Sequence, residues 1–153
     1  MMRAALLLLA VLTVALTAAA ETTLSVGEMT VDGQVMQDLS CKLSKGGFLV
    51  TAVLVGTIAK HKAALDRCGP AGEAFRVSFT WSGSKTTDVQ VLAASREKGK
   101  QCVASIFRKM RPTLEGTCTA VVLTGDVDAA RAAATKLPRP STGEGGQTPP
   151  PSQ

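Results

Sequence analysis

The stretch FLVTAVLVGTIAKHKAALDR, Phe48 to Arg67, decides the fold. Its first eight residues are rich in β-branched side chains and taken alone would suit a strand. The whole run is too long for one strand and has no turn residue inside it, so the spacing predicts a single helix. Leu49, Ala52, Val53, Gly56, Ala59, Ala63 and Leu65 or Asp66 recur at helical intervals, and Lys60, His61 and Lys62 fall toward the C-terminal end, where cations oppose the helix dipole. Cys68 and then Gly69-Pro70 stop it.

Downstream, Phe75 to Ala93 has the alternation of a β-hairpin. Phe75, Val77, Phe79 and Trp81 share one face, Arg76, Ser78 and Thr80 the other. Ser82-Gly83-Ser84-Lys85 turns the chain, and Val89, Val91 and Ala93 alternate on the return. Trp81 continues the apolar face and is expected in the core or at its rim, with a binding aromatic as the alternative. A second helix follows, because Val103, Ile106, Phe107 and Met110 recur at i, i+3, i+4, i+7 and leave Arg108, Lys109 and Arg111 to water. Pro112 ends it. Gly116 opens a last strand, TCTAVVLTGD, and Asp126 can cap a short Ala-rich helix reaching Leu137.

Upstream, TTLSVGEMTV (Thr22–Val31) and VMQDLSCKL from Val35 flank an Asp32-Gly33 turn signal. The second of these runs places Val35, Gln37, Leu39, Cys41 and Leu43 on one face. The order is an extra N-terminal strand, then strand, helix, hairpin, helix, strand. That order implies an α+β domain with helices on one face of a mainly antiparallel sheet.

The ends differ in composition. MMRAALLLLAVLTVALTAAA, residues 1–20, has a basic Arg3, an apolar run and a small-residue Ala18-Ala19-Ala20 site, the pattern of a cleaved signal peptide. An uncleaved anchor is the minority reading, and no membrane contact is expected after cleavage. Residues 138–153, PRPSTGEGGQTPPPSQ, cannot bury enough apolar surface to offset their ordering entropy and are expected to be a disordered tail. Residues 21–137 are left as one domain, in a periplasmic or secreted protein.

Four cysteines in an exported chain favour disulfides, and no C-x-x-C pair supports a zinc or thioredoxin-like site. Topology selects among the three possible pairings. Cys68 just precedes the hairpin and Cys102 just follows it, so the two meet at one end of the sheet. Cys41 lies shortly before the long helix and Cys118 shortly after the second helix, which puts this pair at the other end. A helix of about twenty residues separates the ends by roughly 30 Å, whereas a disulfide spans at most about 7 Å between Cα atoms. If the helix holds, the pairs are Cys68–Cys102 and Cys41–Cys118.

Chemistry for catalysis is sparse. His61 is the only histidine, no G-x-S-x-G elbow, phosphate loop or H-E-x-x-H is present, and Asp126 with Asp128 fits a helix start. A non-enzymatic protein with no cofactor and no metal is expected; a secreted hydrolase using His61 is the weakest alternative. The formal charge of +5, or +4 once Arg3 is removed with the signal, does not indicate nucleic acid, because no aromatic residues interleave with the basic ones.

The segments "HKAALDRC" (His61–Cys68), "AFRVSFTWSGSKTTDVQVLAAS" (Ala74–Ser95), "CVASIFRKMRP" (Cys102–Pro112) and "EGTCTAVVL" (Glu115–Leu123) carry a resemblance. From Ile58 to Leu123 the chain resembles the C-terminal domain of TonB-type energy transducers, closest to the AgmX/PglI-type C-terminal domain of bacterial gliding-motility proteins. The Cys68/Cys102 pair bracketing the hairpin, with Pro112 and Gly116 in step, is the most specific part of the match. The resemblance implies a TonB C-terminal-like fold, a cell-envelope setting and a module that pairs a sheet edge with an extended protein partner. The last strand, with Thr117, Thr119, Val121 and Leu123, is the first choice for that edge. A structural envelope protein binding anionic polymer through the basic helix face is the other non-enzymatic reading.

Overall fold

Two short turns set the sheet. Asp32 and Gly33 both take positive φ (49° and 75°), as do Gly83 and Ser84 (55° and 62°). Each pair closes a two-residue hairpin whose backbone twist matches that of its strands. The computed structural model describes residues 21–45 and 48–140. The expected signal peptide and the tail from residue 141 onward lie outside the described residues. In chain order the elements are β1 (Thr22–Val31), β2 (Gln34–Leu43), α1 (Phe48–Ala59), α2 (Lys62–Cys68), β3 (Glu73–Ser82), β4 (Lys85–Ala94), α3 (Lys100–Lys109), β5 (Gly116–Thr124) and α4 (Val127–Ala134). The architecture is α+β, as the element order implies.

The five strands form one antiparallel sheet in the order β1-β2-β5-β3-β4. Phe75, Val77, Phe79 and Trp81 project from β3 into the main core, as their alternation predicts, and meet Phe107 of α3. Ring centroids of Phe79 lie 5.2 Å from Trp81 and 5.1 Å from Phe107, in tilted geometry. Helices α1, α2 and α3 cover this face. Helix α4 departs from the one-face arrangement. Asp126 caps it, accepting a hydrogen bond from the Ala129 N–H at 2.8 Å, and Ala130 packs on the opposite face with Val35, Ala74, Ala93, Val121 and Leu123. Those residues give β2, β3, β4 and β5 a second apolar patch, which needs its own cover.

The expected face of β2 is corrected in part. Leu39, Cys41 and Leu43 point into the main core, but Met36 joins them there while Val35 lies under α4. The cause is a bulge. Met36 pairs with Val122 and Cys41 with Cys118, so β2 holds one residue more than β5 between those pairs. Asp38, at φ 50°, is in that interval, and one extra residue moves every side chain beyond it to the other face.

The predicted twenty-residue helix is two helices. His61 takes φ −103°, ψ 7° between α1 and α2, and its N–H donates to the Ile58 carbonyl at 2.9 Å. The chain re-enters helix at once, with the Leu65 N–H donating to the His61 carbonyl. In the first part of the predicted stripe, Leu49, Ala52 and Val53 are exposed and Gly56 lies beside Val31. Thr51, Leu54, Val55 and Ile58 are buried there instead, while Ala59 and Leu65 of the predicted stripe are buried as expected. α1 contains no charged residue, so the sequence holds no polar face from which to orient it.

Candidate functional site: the β1 edge and the outer face of α1

Both disulfides form as the topology requires. Cys68 and Cys102 lie 5.6 Å apart at Cα, Cys41 and Cys118 4.1 Å. The second pair joins directly opposed residues of β2 and β5. At that end Gly116 pairs with Trp81, whereas at the other end Thr124 pairs with Glu73. There the Thr124 hydroxyl donates to the Gly69 carbonyl at 3.2 Å, one residue beyond Cys68. The two links therefore fasten opposite ends of the sheet.

The expected edge strand is not an edge. β5 is the middle strand, hydrogen-bonded to β2 on one side and β3 on the other. Thr117, Thr119, Val121 and Leu123 face Lys42, Ser40 and Gln37 across one ladder and Thr80, Ser78, Arg76 and Ala74 across the other. Val121 and Leu123 are also buried beneath α4. Strand β2 inserts beside β5 because Cys41–Cys118 and the buried apolar side of β2 both demand it. Among the described residues the open edges are β1 and β4.

These two edges differ in kind. In β4 the register with β3 shifts twice, between Arg76/Val77 and between Ser78/Thr80, and Asp88 takes φ 51°. Bulges of this sort bend and twist a strand and spoil it as a template. β1 keeps one register with β2 from Thr22 to Val31. It has no proline and no lysine, and Glu28 is its only charge. That charge is engaged: its carboxylate accepts from Arg131 of α4 at 2.8 Å and from Gln37 at 2.7 Å. The hydrogen bond from Arg131, then that from Gln37, holds the Glu28 carboxyl below its ordinary range and raises Arg131 in turn.

Beside this edge stands α1. Leu49 is 75% exposed and Val53 44%, with Ala52 also exposed. Gly56 lies against Val31, 3.9 Å from where its Cβ would be to the Val31 methyl, so the outer helix face and the edge strand adjoin. Leu24, Val26, Met29 and Val31 are only partly buried at the margin of the core. An added strand would thus find free backbone groups along β1 and apolar side chains next to them.

Other sequence candidates are placed elsewhere. Trp81 is 2% exposed in the core, as its position on the β3 face predicts. His61 occupies the α1–α2 junction, and the neighbouring Lys62 pairs with Asp66. Arg108, Lys109 and Arg111 are exposed on and after α3. Among the described residues, no group of three His, Cys, Asp or Glu side chains could hold a metal ion, and no helix is long and apolar enough to cross a membrane. Among known protein families, curated proteins and solved structures, none matches this chain.

Proposed function

We propose that this chain is an exported, non-enzymatic binding module of the cell envelope that takes an extended segment of a protein partner onto the β1 edge. The observation that carries the reading is the juxtaposition of β1 with the exposed apolar face of α1. Strand addition draws affinity from main-chain hydrogen bonds and selectivity from alternate side chains, and here Leu49 and Val53 supply the apolar surface. Two disulfides support an oxidising compartment, the setting that the resemblance to TonB-type domains also implies.

The test is capture of envelope proteins by the oxidised domain, at low and high salt, with Thr30→Pro as the edge variant. Val31 and Gln34 flank a two-residue turn and exchange both hydrogen bonds, so the N–H of Thr30 points away from β2. Proline there removes an outward donor and leaves the β1–β2 ladder intact. Salt-resistant capture that is lost in Thr30→Pro, with both disulfides and the circular dichroism unchanged, is the expected result. Capture that vanishes at high salt and is lost instead in Arg108→Ala/Lys109→Ala would favour the reading in which the basic face of α3 binds anionic polymer.

A further inference from the structure

We propose that Cys102 is a site of S-thiolation by small anionic thiols, with Cys68–Cys102 as the exchanging bond. The two disulfides differ in access. Cys41 and Cys118 are 1% and 2% exposed within the core. Cys68 is half-buried and Cys102 exposed, and both line an open cavity of about 380 Å³. An attacking thiolate reaches the second bond from solvent, whereas the first is reachable only if the sheet opens.

The same cavity is positively charged. Arg67, Arg96 and Lys98 surround the disulfide, against one carboxylate, Glu73. Glu73 is 5% exposed and bound to Arg96, with Oε1 3.2 Å from Nε. Arg67 and Lys98 are exposed and form no ion pair among the described residues. They attract an anionic thiol and favour the thiolate that leaves.

The exchange balances without any other reactant. The incoming thiolate forms a bond to Sγ of Cys102, the Cys68–Cys102 bond breaks, and its electron pair stays on Sγ of Cys68. A second thiolate attacking the mixed disulfide releases the oxidised thiol and leaves both cysteines reduced. The end of α2 is then freed from the start of α3, while Cys41–Cys118 still holds β2 to β5.

The test treats the oxidised protein with limiting glutathione (anionic) or cysteamine (cationic) at low salt, then traps thiols by alkylation and maps peptides. Rates are normalised to those of each reagent on a small neutral disulfide. Expected are glutathione on Cys102, Cys41–Cys118 left intact, and a glutathione preference of about tenfold. That preference should fall to near unity in Arg67→Ala/Lys98→Ala and, independently, in wild type at 0.5 M salt (on the order of a 4 Å Debye length). Loss of both disulfides together, glutathione on Cys68, or a preference unmoved by salt and by the double variant would overturn the proposal.

Discussion

Asp66 shows how one side chain ties separate elements together. Its Oδ1 accepts from the Gly125 N–H at 2.9 Å while its other oxygen takes Lys62, so α2 is fastened to the end of β5. Asp66→Ala leaves that N–H without its partner and should lower unfolding stability by about 1–3 kcal/mol in urea titrations. Gly125 itself has φ 66°, and a Cβ there would lie 2.2 Å from the Gly69 carbonyl oxygen. Gly125→Ala is therefore expected to cost at least about 1–3 kcal/mol from backbone strain alone. Glu28 gives a pH signature. Its folded pKa is depressed, so the stability it contributes is complete above the unfolded carboxylate value and is lost as pH falls through the lower, folded value. A carboxyl titration followed by NMR should place Glu28 below an ordinary glutamate, and Arg131→Ala should move it back up.

At the scale of elements, α1 and β1 behave unlike their neighbours. α3 has a polar side and a buried side, so its orientation was legible from Val103, Phe107 and Met110, all fully buried in the structure. α1 is apolar all round, and such a helix is ordinarily covered on all sides. Leu49→Lys and Val53→Lys change exposed positions and are expected to shift stability by no more than about 0.5 kcal/mol. The same substitutions should weaken partner capture, which separates a binding role for this face from a packing role. Hairpins were equally readable, because Asp32-Gly33 and Gly83-Ser84 are dipeptides that two-residue hairpin turns use. The bulges were not. Asp38 and Asp88 are the two aspartates inside the described strands and both take positive φ, which aspartate tolerates better than most residues, but the bulge in β2 is visible only through its pairing with β5.

For the whole molecule, the disulfides close loops of 77 and 34 residues in sequence separation. The chain-entropy relation assigns each about 4 kcal/mol, against a usual net stability of about 5–15 kcal/mol for a domain. Cys41→Ala/Cys118→Ala is expected to be the more damaging pair removal, since it also leaves a small cavity in the core. Thermal melts of the two double variants would show the order, with the Cys68→Ala/Cys102→Ala protein melting higher.

The amino-acid sequence by itself determined the strands, α3, α4 and the sulfur pairing, but not the break between α1 and α2. Alternation, helical spacing and turn chemistry act within a few residues, and the places of the cysteines relative to the hairpin and the helices carry that local information to cysteines far apart in the chain; the break at His61 still leaves Cys68 with Cys102 and Cys41 with Cys118. Tertiary structure alone decided strand order, and with it the exposed edge. β5 carries the unbroken apolar run Ala120–Leu123, buried on both faces, whereas β1 alternates polar with partly buried apolar residues; that contrast marks a covered strand but does not say which strands flank it. β2 lies beside β5, where its apolar face is buried and Cys41 bonds Cys118, which displaces Thr117 to Leu123 from the edge and leaves Thr22 to Val31 in that position among the described residues.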